Sequence, residues 1–168
     1  RRVLFRSLDA AAAGIARSAY GMGGQKCSAL SRLYVDDSVA DALVEQLKKQ
    51  ISAIRIGDPT KREFWLGPVI HGTSYANFSR YVEELRSGGA TLHAGGRTLV
   101  EGALARGFYV EPTLAEAPAG HRLWRHEMFV PILMMQRVRD REEAMRLAND
   151  TDVGLTAGFY GDRKSTRL

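Results

Sequence analysis

Residues 23–35 read Gly23-Gly24-Gln25-Lys26-Cys27-Ser28-Ala29-Leu30-Ser31-Arg32-Leu33-Tyr34-Val35 and hold the only cysteine of a 168-residue chain. Small, flexible residues precede the thiol, so the backbone can bend sharply there and leave the sulfur clear of bulky neighbours. An alanine-rich helical run leads in and the strand-like Arg32-Leu33-Tyr34-Val35 leads out. At such a junction a thiol can be exposed, and a helix N-terminus or a cation nearby favours the nucleophilic thiolate. The competing reading is a small buried hydrophobe.

Outward from this stretch, helices alternate with short strands. Asp9 to Met22 is alanine-rich and reads as a helix with Asp9 as N-cap, ended by Gly21, Gly23 and Gly24. Val39, Leu43, Val44, Leu47, Ile51 and Ile54 recur at helical spacing behind Ser38, a candidate cap. Residues 55–72 read as a loop pinned by Trp65 and Leu66. Thr73 to Ser87 reads as a second amphipathic helix ended by Gly88-Gly89. Ala90 to Ala94 is a strand, and a polar excursion runs from Gly95 to Arg106. Phe108 to Leu114 is another strand pattern, in which Pro112 implies an edge or a bulge. Pro131 to Met135 is a buried-type strand, Asp140 to Ala148 a short helix, and Gly154 to Tyr160 a final strand. The alternation argues an α/β fold with a largely parallel open sheet and flanking helices.

The two ends stand apart. Residues 162–168, Asp-Arg-Lys-Ser-Thr-Arg-Leu, can be written as GAT CGG AAG AGC ACA CGT CTG. The reverse complement, in a shifted frame, encodes Arg-Arg-Val-Leu-Phe-Arg and opens a serine codon, which is the sequence of residues 1–7. One DNA sequence read from either strand thus accounts for both ends. The expected organisation is an adapter-like flank at 1–7, a partial catalytic domain at 8–161 and an adapter-like flank at 162–168.

That division changes the charge argument. The chain carries 24 Lys+Arg against 19 Asp+Glu, net +5. Six of the basic residues and one of the acidic residues lie in the flanks, which leaves 18 of each between them. A neutral body gives no ground for a nucleic-acid or membrane-surface partner. No run approaches the roughly 18 apolar residues of a membrane span. A single cysteine permits no internal disulfide and suits a reducing compartment, so a cytoplasmic location is expected. The histidines at 71, 93, 121 and 126 show no metal-site spacing and read as loop and surface residues, and Glu83 and Glu84 as a solvated helix face.

Five segments, in order, resemble the aldehyde dehydrogenase superfamily. Gly-Gly-Gln-Lys-Cys-Ser-Ala resembles its nucleophile segment, Gly-(Gln/Glu)-x-Cys. Gly67-Pro68-Val69 resembles its Leu-Gly-Pro loop, and the Phe108–Leu114 strand its Gly-(Tyr/Phe)-(Tyr/Phe)-x-x-Pro-Thr strand. His126-Glu127-Met128-Phe129-Val130-Pro131 resembles its Glu-x-Phe-Gly-Pro segment, with Val130 where glycine is usual. Residues 149–160 resemble its Asn-x-x-x-x-Gly-Leu stretch.

The resemblance implies that Cys27 attacks an aldehyde, with its backbone N–H as half of an oxyanion hole. Hydride passes to NAD or NADP, and water hydrolyses the resulting thioester. It also implies that Glu127 holds the nicotinamide ribose and that Phe129 lies beside the nicotinamide ring. Cys27-Ser28-Ala29 with the following Ser-Arg-Leu-Tyr-Val is most similar to pyrroline-5-carboxylate dehydrogenases, which oxidise glutamate semialdehyde. There Ser28 would meet the substrate carboxylate; the plainer role is to cap a short helix beginning near Cys27. The family's dinucleotide domain, general base and oligomerisation strand have no counterpart here. The expectation is therefore a fragment of a homo-oligomeric enzyme, inactive by itself. Two rival readings are an aldehyde dehydrogenase of other substrate, and a non-catalytic interaction module with an incidental or redox-sensing thiol.

Overall fold

The structure is a computed structural model and describes residues 8–161. Both adapter-like flanks lie outside the described residues.

Helix α1 runs Leu8–Tyr20 and continues into a 3-10 turn at Gly21–Gly24. Asp9 is the second residue of α1 rather than its cap, where its charge suits the positive end of the helix dipole. Strand β1 is Arg32–Asp36, followed directly by α2, Asp37–Ser52. The cap of α2 is Asp36, whose carboxylate accepts from the Ser38 N–H at 2.9 Å, so the capping oxygen lies two residues ahead of the serine expected to supply it. Helix α3 spans Gly72–Ser87, with His71 Nδ1 accepting from Ser74 N–H at 3.1 Å. Strand β2 is Thr91–Ala94.

The polar excursion is more ordered than its composition suggests. It contains β3, Thr98–Leu99, antiparallel to β4, Tyr109–Val110, and a 3-10 turn at Gly102–Arg106. The expected Phe108–Leu114 strand is therefore two strands, β4 and then β5, Thr113–Glu116. Glu111-Pro112 separates them, because proline offers no N–H to a ladder. Another 3-10 turn, Arg122–Arg125, leads towards β6, Ile132–Val138, and α4, Arg141–Asn149, closes the series. Asp140 caps α4 by accepting from Glu143 N–H at 2.8 Å.

The main sheet has the order β1-β6-β5-β2, with β1/β6 and β6/β5 parallel and β2 antiparallel at one edge. Alternation along β6 sends Leu133 and Met135 to one face, under α1 and α2, and Ile132 and Met134 to the other, under α3 and the 122–125 turn. The result is a three-layer α/β/α arrangement. Tyr20, fully buried, donates its hydroxyl to Thr113 O at 3.1 Å and so ties α1 to β5. Burial without a charged partner pushes the Tyr20 phenol far above its ordinary range, so it remains a donor.

The strand expected at Gly154–Tyr160 is absent. Those residues are exposed and pair with no strand among the described residues. A strand pattern becomes a strand only where a neighbour takes its backbone hydrogen bonds. Of the two residues expected to pin the 55–72 loop, Leu66 is buried and Trp65 is exposed. No helix among the described residues is long and apolar enough to cross a membrane.

Candidate active site

Parallel pairing brings the Cys27 segment and the Glu127–Phe129 segment together. In the β1/β6 register Arg32 faces Met134. Cys27 precedes Arg32 by five residues and Phe129 precedes Met134 by five, so both lie off the same, N-terminal edge of adjacent strands. Parallel β5 begins at that edge too, with Thr113 facing Ile132. The loop before β4 joins them there, since Phe108 O accepts from Val69 N–H at 2.9 Å. Ligands of open α/β sheets more often sit at the carboxyl edge; here the candidate residues gather at the opposite one.

Cys27 is exposed, as is Ser28. No helix begins at Cys27. A turn closed by Ala29 N–H donating to Lys26 O at 3.0 Å carries both residues at its tip, so Ser28 caps nothing. Leu30 N–H returns to Ser18 O of α1 at 3.3 Å. The entry into this turn is left-handed at three consecutive residues, Met22, Gly23 and Gly24, with φ of 55°, 66° and 68°. Gly24 is packed against Val130 so closely that a methyl group would not fit.

Phe129 is the other non-glycine residue with left-handed backbone among those described, at φ 56°. Strain of that kind costs of order 1–3 kcal/mol and persists where the surroundings impose it. Its ring is 45% exposed although both neighbours, Met128 and Val130, are buried. The left-handed turn falls on Phe129 and not on Val130, so valine is accommodated where glycine is usual. Val130 O also accepts from Ile132 N–H at 2.7 Å, which turns the chain into β6. Glu127 is exposed.

The approach to Glu127 is held firmly. Arg122 places two N–H groups on the Glu84 carboxylate at 2.8 and 2.7 Å. Trp124 donates to Pro118 O at 2.8 Å and stacks on Tyr34, and Arg125 reaches Asp150 at 2.6 Å. The hydrogen bond from Arg122 holds the Glu84 carboxyl below its usual range, and that from Arg125 does the same to Asp150. Tyr81 OH and His126 Nε2 share a 2.8 Å hydrogen bond next to Glu127. Three of the four histidines are thus not surface residues: His93, His121 and His126 are partly buried and engaged with Glu116, the end of α3 and Tyr81. Glu84 likewise is an ion-pair partner rather than part of a solvated face. Burial alone would raise the Glu116 carboxyl, but Arg137 and His93 outweigh it and hold it low.

Sequence reasoning missed one residue of this site. Gln25 uses both ends of its amide, with Oε1 accepting from Ile70 N–H at 2.8 Å and Nε2 donating to Met22 O at 3.0 Å. Its position two residues before the thiol was the available signal, but its partner lies 45 residues away. Among the described residues no group of three or more His, Cys, Asp or Glu could hold a metal ion.

The aldehyde dehydrogenase family model matches residues 5–167 of the chain. The 1-pyrroline-5-carboxylate dehydrogenase of Bacillus subtilis is 37% identical over 153 residues, 90% of this chain and 29% of that protein. The chloroplastic betaine aldehyde dehydrogenase of Amaranthus hypochondriacus is 37% identical over 151 residues, 89% of this chain and 30% of that protein. The crystal structure of 1-pyrroline-5-carboxylate dehydrogenase from Thermus with bound NAD superposes with a TM-score of 0.86 at 36% identity, covering 94% of this chain and 30% of that one. The chain thus spans about three-tenths of the length of these relatives. With the motifs gathered at one sheet edge and a family match over nearly its whole length, the chain belongs to the aldehyde dehydrogenase family.

Proposed function

We propose that the complete protein to which this chain belongs is an NAD(P)-dependent aldehyde dehydrogenase in which Cys27 is the nucleophile. We propose further that its substrate is glutamate semialdehyde, oxidised to glutamate in proline catabolism. The observation that carries the reading is an exposed thiol on a turn braced against the segment that bears Glu127 and Phe129, in a chain of this family.

The Cys27 thiolate forms a C–S bond to the aldehyde carbon, and the carbonyl oxygen takes the negative charge. The Cys27 backbone N–H stabilises that oxyanion. Glu127 and Phe129 fit one wall of a nicotinamide nucleotide site. An exposed carboxylate can accept from ribose hydroxyls, and a strained backbone holds a half-exposed ring out of the core. The cofactor, when bound, supplies the hydride acceptor. Water then cleaves the thioester, releasing a carboxylate and restoring the Cys27 thiol. Ser28, exposed beside Cys27, is a hydroxyl donor suited to a carboxylate on the substrate.

The test is Cys27→Ser in the complete enzyme, assayed by NADH formation with glutamate semialdehyde. A thiol ionises readily near neutral pH and a hydroxyl does not, so oxidation is abolished. Retained oxidation in Cys27→Ser ends the nucleophile reading. An enzyme that oxidises only other aldehydes ends the substrate assignment and leaves the chemistry.

A further inference from the structure

The chain leaves α1 through a short 3-10 turn in which three consecutive residues, Met22, Gly23 and Gly24, are left-handed, and it then enters the turn that carries Cys27. Besides the Gly24–Val130 contact and the Leu30 N–H on Ser18 O, its course is set by what Gln25 touches. Met22 O accepts twice from Gln25, from the backbone N–H at 3.2 Å and from Nε2 at 3.0 Å. The side-chain donor therefore duplicates a bond the backbone already makes. The acceptor is not duplicated. Gln25 Oε1 accepts from the Ile70 N–H at 2.8 Å and so joins the Cys27 segment to the 67–70 loop.

That loop is a firm anchor. Val69 is buried and donates its N–H to Phe108 O at 2.9 Å, and Leu66 is buried with its carbonyl accepting from Gly57 N–H at 3.0 Å. Ile70 itself is 75% exposed. Water can replace the acceptor at its N–H, so losing the bond costs little stability. What is lost is the fixed distance between the Cys27 turn and its neighbour.

We infer that Gln25 is a positioning residue for Cys27, acting through its side-chain carbonyl on the Ile70 N–H. The inference rests on the reading of Cys27 as the nucleophile. A displacement of about 1 Å at a reacting group can cost about 100-fold in rate, so a tether of no thermodynamic weight can matter kinetically.

The experiment compares Gln25→Leu and Gln25→Glu in the complete enzyme. Leucine removes the acceptor at similar size; glutamate keeps an acceptor and gives up only the duplicated donor. In Gln25→Leu, kcat falls about 10- to 100-fold, KM for the aldehyde changes less than about 3-fold, and Tm moves by less than about 2 °C. Gln25→Glu recovers kcat to within about 3-fold of the parent. Hydrogen exchange of a peptide covering residues 67–72 gains one fast amide in Gln25→Leu and not in Gln25→Glu.

Unchanged kcat in Gln25→Leu, or equal losses in the two variants, overturns the inference. So does a fall in Tm with kcat per folded enzyme unchanged, since that is a purely structural role. Failure of the nucleophile reading looks different. The parent then shows no Cys27-dependent oxidation, and the exchange of the 67–72 peptide alone decides whether the tether exists.

Discussion

Gly24 and Val130 meet so closely that a Cβ on Gly24 would lie 2.5 Å from the Val130 carbonyl oxygen and 2.8 Å from its carbonyl carbon. The atoms in the way are backbone, which cannot rotate aside as a side-chain tip can. Gly24 also has φ 68°, where a Cβ costs about 1–2 kcal/mol before any clash. The contact joins the turn bearing Cys27 to the segment bearing Phe129. Gly24→Ala should therefore lower the urea midpoint by more than that strain alone and reduce kcat of the complete enzyme. Gly120→Ala, where nothing lies within 4 Å of the added carbon, is the control and should be near neutral. A Gly24→Ala enzyme as stable and active as the control would show that the two segments need not stay in contact.

Ser28→Ala separates substrates by charge. A hydrogen bond to a charged group contributes roughly 1.5–3 kcal/mol, or about 10- to 100-fold in kcat/KM. The expected result is a loss of that size with glutamate semialdehyde and a much smaller loss with an aldehyde of similar size lacking the carboxylate. Betaine aldehyde, a cation, is an informative second comparison, since the chain is as similar to a betaine aldehyde dehydrogenase as to a pyrroline-5-carboxylate dehydrogenase. Equal losses for all three aldehydes would mean that Ser28 only shapes the Cys27 turn.

What could be read from sequence was what repeats locally. Apolar spacing located α2 and α3, and Pro112, read as an edge or a bulge, stands where β4 gives way to β5. The motifs around Cys27 and Phe129 could be found because each is contiguous. Their convergence could not, because it depends on the register of β1 against β6. Two-residue strands such as β3 and β4 are too short to show a period, and the Gly154–Tyr160 pattern lacked a partner that sequence alone cannot supply. Histidines 93, 121 and 126 were misjudged for a related reason: each finds its partner across more than twenty residues of chain, in Glu116, Glu84 and Tyr81.

The last prediction concerns acid. Glu84 on α3 and Arg122 ahead of the Glu127 segment form a two-bond pair, and the hydrogen bond from Arg122 holds the Glu84 carboxyl below its ordinary value of 4.5. A group whose pKa is lower folded than unfolded binds its proton more weakly in the folded state. Its contribution to stability is complete above the unfolded pKa and is lost as pH falls through the folded one. The pair should therefore support the fold fully above about pH 4.5 and progressively less below it. Glu84→Gln removes the charge at every pH. Near neutrality the variant should be destabilised by only about 0.5–1 kcal/mol, because Arg122 is largely exposed. As pH falls below 4.5 the gap between variant and parent should narrow, since the parent loses the same interaction by protonation. Urea denaturation midpoints measured from neutral pH to strong acid give the comparison directly. A gap that stays constant, or widens on acidification, would mean that Arg122 does not favour the charged form of Glu84, and that the 122–125 turn is held to α3 by other contacts, such as His121 on Glu84 O.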